Sequence, residues 1–374
     1  MIKKLIVILS IALIISIPVS AESNSQEIYK EQYSISGLDD AKESLPKQTR
    51  EFLENNGLDP ENIDWVDNLN AENVFTHIFS FLKSGAKTPF VICLSIIAII
   101  IVSSAIYSNS ISPSVSEACY YATTLSASAV ILVPLFNVIT ASINAMKGTS
   151  VFMGAFVPVF AVVIATSGAP VTASSMSALL LLAVQIVNYI SNFAVMPLMS
   201  GYLGVSISSN VSPLVEKSGI ADGIKKIAFW IMSLISTIFI GILSIQTAVN
   251  ASADTLTVKT AKFIIGSAVP VAGTALSESL STVTASMGLL KSSIGVYGVV
   301  ACAVMFLPLL TELFLWRIAL LITSSVSDLF SVGKISSLLK SVDSVLSLLI
   351  GIILLTLAMF VISLAVVIST GGTA

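Results

Sequence analysis

From residue 88 to the C-terminus, polar positions fall into short clusters that separate long apolar runs. Residues 88–116 and 118–146 are uncharged, with Glu117 between them, and 148–215 contains no Asp, Glu, Lys, Arg or His at all. Further apolar runs cover 227–249, 292–322 and 344–369. A helix crosses a bilayer with about 20 apolar residues. These runs therefore predict an all-α polytopic membrane domain over 88–374, with about six to eight transmembrane or re-entrant helices.

The first 87 residues follow a different pattern. Lys3 and Lys4, an apolar run over 5–17, Pro18, and the small residues Val19 and Ala21 predict a signal peptide over 1–21, cleaved after Ala21. Residues 22–87 then form an acidic extracytoplasmic region with two helical patterns, 38–56 and 70–83, divided by the turn signal Gly57-Leu58-Asp59-Pro60. In the second pattern Val74, Phe75, Ile78, Phe79 and Leu82 share one face, suited either to packing within the region or to lying on a membrane surface. His77, the chain's one histidine, reads as a solvated helix residue.

Composition agrees with this division. Mean hydropathy is +0.96 and 10 % of the 374 residues are charged, against about a quarter in soluble domains. The net charge of −3 hides 13 acidic and 6 basic side chains in 22–87, against 8 and 10 in 88–374. No basic patch suited to nucleic acid exists. Cys93, Cys119 and Cys302 lie far apart in apolar runs and read as packing residues.

One stretch recurs. Residues 154–174, GAFVPVFAVVIATSGAPVTAS, align without a gap to 266–286, GSAVPVAGTALSESLSTVTAS, and nine of 21 positions match, including Val-Pro-Val and Val-Thr-Ala-Ser at one spacing. The match divides the membrane domain into repeat units of about 150–249 and 262–369. Gly154, Pro158, Gly168 and Pro170 interrupt the first copy, and Gly266 and Pro270 the second. Irregular backbone at membrane depth is tolerated where it lines a cavity or is enclosed by protein. These residues are thus candidates for a pathway lining or a helix contact.

Charge placement bears on topology. Copies that cross the membrane would be inverted, whereas re-entrant copies would be parallel and would put Lys217, Lys225, Lys226, Lys334 and Lys340 together in the cytoplasm. The second arrangement is preferred. Three charges inside apolar segments add candidate sites: Glu278 in the second copy, facing Thr166 in the alignment, and Glu312 and Arg317 in 292–322. Five residues apart, the last two are badly spaced to pair on one helix.

No catalytic signature is present. The chain has no His-Glu-x-x-His run and no Walker loop, its histidine lies outside the apolar runs, and its aspartates sit in or beside links. The reading is a non-enzyme without a cofactor, catalytic residue or metal site. Two classes remain in competition: a channel or export-apparatus subunit, and a stand-alone secondary transporter of a small solute.

The acidic stretch SGLDDAKESLPKQTREFLENNGLDP (36–60), FVPVFAVVIATSGAPVTAS (156–174), SESLSTVTASMGLLKSSIGVYG (277–298) and the closing KSVDSVLSLLIGIILLTLAMF together resemble stage III sporulation protein AE of endospore-forming Firmicutes. The resemblance runs over essentially the whole chain. It implies a multi-pass subunit, N-terminal region extracytoplasmic, in the mother-cell membrane around the forespore, within a channel or secretion-like complex needed for forespore development. Implied partners are other products of the same sporulation operon, including a separate ATPase and ring-forming membrane proteins, together with a forespore membrane protein and the lipid bilayer. Nucleic acid is not among them, and the family supplies no catalytic residues to carry over.

Overall fold

The fold is seen in a computed structural model, which describes residues 23–68, 76, 80–83, 85–108, 112–190, 196–211, 223–246 and 273–369. The predicted signal peptide, His77, most of the predicted helix over 70–83, Lys217, Gly266 and Pro270 lie outside the described residues. Every regular element described is helical.

The head contains α1 (Ser23–Ser36), α2 (Leu38–Glu43), α3 (Lys47–Asn55) and a 3-10 turn, Ile63–Asn68. One helix was predicted over 38–56; the structure breaks it at Pro46, which disfavours helical backbone in the residue before it. Helix α1 was not predicted. Its two tyrosines, Tyr29 and Tyr33, are buried.

The body comprises α4 (Lys87–Ser108), α5 (Pro113–Thr166), α6 (Pro170–Ile190), α7 (Met196–Val211), α8 (Gly223–Gln246), α9 (Gly273–Leu329) and α10 (Gly333–Ser369). Five helices among the described residues are long and apolar enough to cross a membrane, and Pro170–Ile186 is a shorter apolar one. All-helical in its described residues, the chain is a multi-pass membrane protein. Helix α9 is the central mast, with α1, α3, α4, α5 and α10 packed on it, while α6 and α7 lie against α5 and α10.

The predicted spans over 118–146 and 292–322 are pieces of much longer helices. With 54 and 57 residues, α5 and α9 measure about 80 and 85 Å at 1.5 Å per residue. Tilting by 40°, at the upper end for membrane helices, still leaves more than the roughly 30 Å of a bilayer's apolar core.

Pro158 does not interrupt α5. Proline removes the bond to the carbonyl four residues earlier, here Gly154, and both residues lie on the exposed side of the helix. The break falls instead at Ser167–Ala169. Ala169 N–H bonds to Ile164 O at 3.2 Å and Gly168 N–H to Ala165 O at 3.2 Å, closing a Schellman turn around Gly168 at φ 95°. Pro170 then opens α6, where its missing N–H costs nothing. In the second copy the positions matching Gly168 and Pro170 are Leu280 and Thr282, and α9 runs straight through them. The two copies thus take different paths, and neither forms a short dip in the described residues.

Candidate functional site

A close helix crossing in the body lies where the first repeat copy meets α9. Phe152, Phe156 and Phe160, four residues apart on α5, are fully buried with successive ring centroids 5.3 and 5.4 Å apart. Phe156 and Phe160 face Gly298 and Gly295 of α9, respectively. A Cβ on Gly298 would stand 2.5 Å from Phe156 Cζ, and one on Gly295 would stand 2.5 Å from Ile368 Cγ1 of α10. Small residues allow such close crossings. Of the sequence candidates in this copy, Gly154 faces open space, with nothing within 4 Å of a Cβ, and Gly168 and Pro170 shape the turn. The contact itself is made by the phenylalanines and by two glycines outside the repeat. Their spacings, Phe-x-x-x-Phe-x-x-x-Phe and Gly-x-x-Gly, were legible as packing signals.

Next to this junction the head is tied to α9. Trp65 Nε1 lies 2.8 Å from Ser293 Oγ, which lies 2.8 Å from Tyr29 Oη, itself 2.6 Å from the Pro60 carbonyl. An indole N–H only donates and a carbonyl only accepts. The chain of donors is therefore Trp65 to Ser293, Ser293 to Tyr29, and Tyr29 to Pro60. The Trp65 ring meets Tyr297 edge-on at 6.1 Å. Burial pushes the Tyr29 hydroxyl up to about 12, with the Ser293 hydrogen bond opposing and Asp59 adding to the rise. In the same head, Lys42 Nζ donates to Asp59 at 2.8 Å, Tyr33 Oη at 3.0 Å and Asp39 at 3.3 Å. Burial works against its charge, but the two carboxylates outweigh burial and hold its pKa above the ordinary lysine value.

The charged candidates are not brought together. Glu278 and Glu312 are 34 positions apart on the continuous helix α9, about 50 Å at 1.5 Å per residue. Of Glu278 the structure describes only a helical backbone. Glu312 is half-buried beside Gly85, two residues before α4 begins. Arg317 turns away from Glu312 and pairs with Asp343 of α10 through two bonds, Nε to Oδ1 at 2.7 Å and Nη2 to Oδ2 at 3.2 Å. Sequence spacing along one helix gave no access to this partner. Nearby, Lys225 Nζ donates to Ser344 Oγ at 3.2 Å, Lys340 pairs with Asp328 at 3.0 Å, and Lys334 sits 3.8 Å from the centre of the Tyr121 ring. Lys225, Lys334 and Lys340 thus gather towards one end of the bundle, and the head sits towards the other. Among the described residues no group of three or more His, Cys, Asp or Glu is placed to hold a metal ion.

A sequence profile of the family described as stage III sporulation protein AE matches residues 62–371. The chain belongs to that family. It is also 27 % identical over 233 residues to the stage III sporulation protein AE of Bacillus subtilis (strain 168). That alignment covers 61 % of this chain and 57 % of the relative. No solved structure matches. Trp65, Ser293, Gly295, Gly298, Arg317 and Asp343 all fall inside the family match, whereas Tyr29 and α1 to α3 precede it.

Proposed function

We propose that this sporulation-family membrane protein is a subunit of the channel or secretion-like complex that joins mother cell and forespore and supports forespore development. It resides in the mother-cell membrane around the forespore with its head outside the cytoplasm. Its partners are other products of the sporulation operon, among them a separate ATPase and ring-forming membrane proteins, and a membrane protein of the forespore. The orientation is supported by Lys225, Lys334 and Lys340 gathering away from the head, since cytoplasmic ends of spans are enriched in Lys and Arg.

The observation that favours a subunit over a stand-alone transporter is the use of the Arg317 charge. Coupled transporters usually place ionisable or ion-coordinating groups near the membrane centre. Here Arg317 is engaged with Asp343, and Glu278 and Glu312 stand about 50 Å apart on one helix. A deletion strain complemented by this chain supplies the test. Expected results are restored forespore gene expression and co-purification with the operon's other membrane products. Gradient-driven solute uptake by the purified chain alone would sink the subunit reading in favour of the transporter.

A further inference from the structure

The helices can be placed on one axial scale, because their contacts keep constant registers. Facing residues of α5 and α9 pair as Thr149 with Met305, Met153 with Cys302, Phe156 with Gly298 and Thr166 with Met287, their numbers adding to 453–455. Between α9 and α10 the pairs Gly295 with Ile368, Gly298 with Leu364 and Arg317 with Asp343 add to 660–663. Helix α8 runs parallel to α10, Lys225 beside Ser344 and Met232 beside Gly351, 119 positions apart in both cases. Helix α4 runs parallel to α9, with Gly85 beside Leu315 and Cys93 bonded to Ala319 and Thr323. Further along, Ser103 bonds to Thr123 of α5, which the α5–α9 register sets level with the end of α9.

Two of these helices carry no charge over the length of a bilayer's apolar core: α4 over 88–106 and α8 over 227–245, each about 28 Å long. The registers set these runs end to end along the bundle, not side by side. Lys87, just before the α4 run, and Lys226, just before the α8 run, both stand level with residues 315–318 of α9. From that level α8 runs towards Gly298 and the head, and α4 runs the opposite way, towards the turn between α9 and α10.

The level at which both runs begin is a polar girdle. Lys83 and Lys87 are exposed around the start of α4, and at the start of α8 Lys226 is exposed and Lys225 half-buried. Glu312 and Arg317 of α9 and Asp343 of α10 share the level. Arg317 and Asp343 satisfy each other, which leaves four lysines against one glutamate. The other body charges named above are Lys147 on the α8 side and, on the α4 side, Lys340 paired with Asp328 and Lys334 over the Tyr121 ring. A bilayer covering the α8 run ends at the girdle, and a bilayer covering the α4 run ends there too, from the opposite direction. One centred on the girdle would put all of its charges at the depth where hydrocarbon accepts them least. With either run embedded, the four lysines lie among lipid headgroups.

We propose that this girdle binds anionic phospholipid headgroups, Lys83 and Lys87 taking the phosphate of a lipid at α4, and Lys225 and Lys226 that of a lipid at α8. Charge complementarity selects the occupant. An anionic headgroup carries a net negative charge that a zwitterionic one lacks, and clustered lysines at a membrane surface attract it. Lys225 uses one of its three donors on Ser344, which holds the side chain beside α10 and leaves two donors for phosphate. Binding at the girdle rests only on the chain's being a membrane protein. Its failure would leave the proposed complex standing, and failure of that complex would leave the girdle.

The test uses the full-length protein in liposomes of phosphatidylcholine with a minority of phosphatidylglycerol, one lipid or the other carrying a nitroxide quencher near its glycerol backbone. Trp230, 66 % exposed and one turn from Lys226, is the reporter at α8. Trp65 and Trp316 are buried, so its share is read as the difference from Trp230→Phe. Thr88→Trp in the Trp230→Phe protein reports at α4. Per mole of labelled lipid, phosphatidylglycerol is expected to quench each reporter at least about threefold more strongly than phosphatidylcholine, an advantage that largely disappears in about 1 M salt. Lys225→Gln with Lys226→Gln should abolish the preference at Trp230 and leave it at 88. Lys83→Gln with Lys87→Gln should do the reverse, and Arg in place of each lysine pair should keep both preferences. Equal quenching by the two lipids, a preference that survives the Gln pairs, or one that the Arg pairs lose would each overturn the proposal.

Discussion

Phe156 stands across from Gly298 where α5 crosses α9, and its ring fills the space that any side chain at 298 would need. Gly298→Ala is expected to destabilise the bundle by about 1–3 kcal/mol, the usual effect of overpacking. Gly295→Ala should behave alike, because Ile368 and Phe160 close on it from two other helices. Gly154→Ala is the control: it meets nothing and gains up to about 1 kcal/mol of helix propensity. Thermal unfolding in detergent checks all three, and equal losses at 154 and 298 would refute this account of the junction.

How much of this was legible beforehand depends on the kind of signal. The apolar runs foretold a helical membrane body, because uncharged length is a local property. Helix ends were less legible. Pro158 and Gly168 look like equal breaks in the sequence, yet only Gly168, followed by Pro170, meets the geometry of a helix C-terminus. Pro158 is shared by both copies yet does not end α5, whereas Gly168 and Pro170, which shape the turn, have no counterpart in the second copy. Arg317 and Asp343 pair only because α9 folds back onto α10, which spacing along one helix does not reveal. Tyr29 and Ser293, 264 positions apart, carry no shared local signal at all.

The ion pair between Arg317 and Asp343 is two-pronged and about one-third exposed, so its worth lies between that of surface and buried pairs. A double-mutant cycle with Arg317→Gln and Asp343→Asn should give a coupling of about 1 kcal/mol. Each single change costs more than the pair removed together, since each strands a charge. Additive losses from the two single variants would show that the pair contributes nothing.

Ser293 both receives from Trp65 and gives to Tyr29, so its removal leaves two partners unsatisfied at once. Ser293→Ala is predicted to weaken head docking by about 1–3 kcal/mol, the cost of an unsatisfied buried polar group. Faster protease cleavage in 23–68, with the body intact, is the expected readout. Ser293→Thr keeps the hydroxyl and should retain more of the docking. Unchanged cleavage in the Ala variant would mean that Trp65 and Tyr29 find other partners.

The same tyrosine makes docking sensitive to alkali. Tyr29 holds its proton to about 12 when docked and to its ordinary value near 10 when released, so above pH 10 the released head binds fewer protons than the docked one. Stability of the docked state is therefore full below pH 10 and falls as pH rises from 10 to 12, by up to about 2–3 kcal/mol. Hydrogen exchange of the head measured over that window should accelerate in the wild-type protein. Tyr29→Phe carries no titrating group there and should show a shallower change, at the cost of weaker docking below pH 10 through loss of the bond to Pro60. Identical pH profiles in the two proteins would assign the alkaline transition to another group, with Tyr33, also raised by burial and by its bond to Asp39, the next to examine.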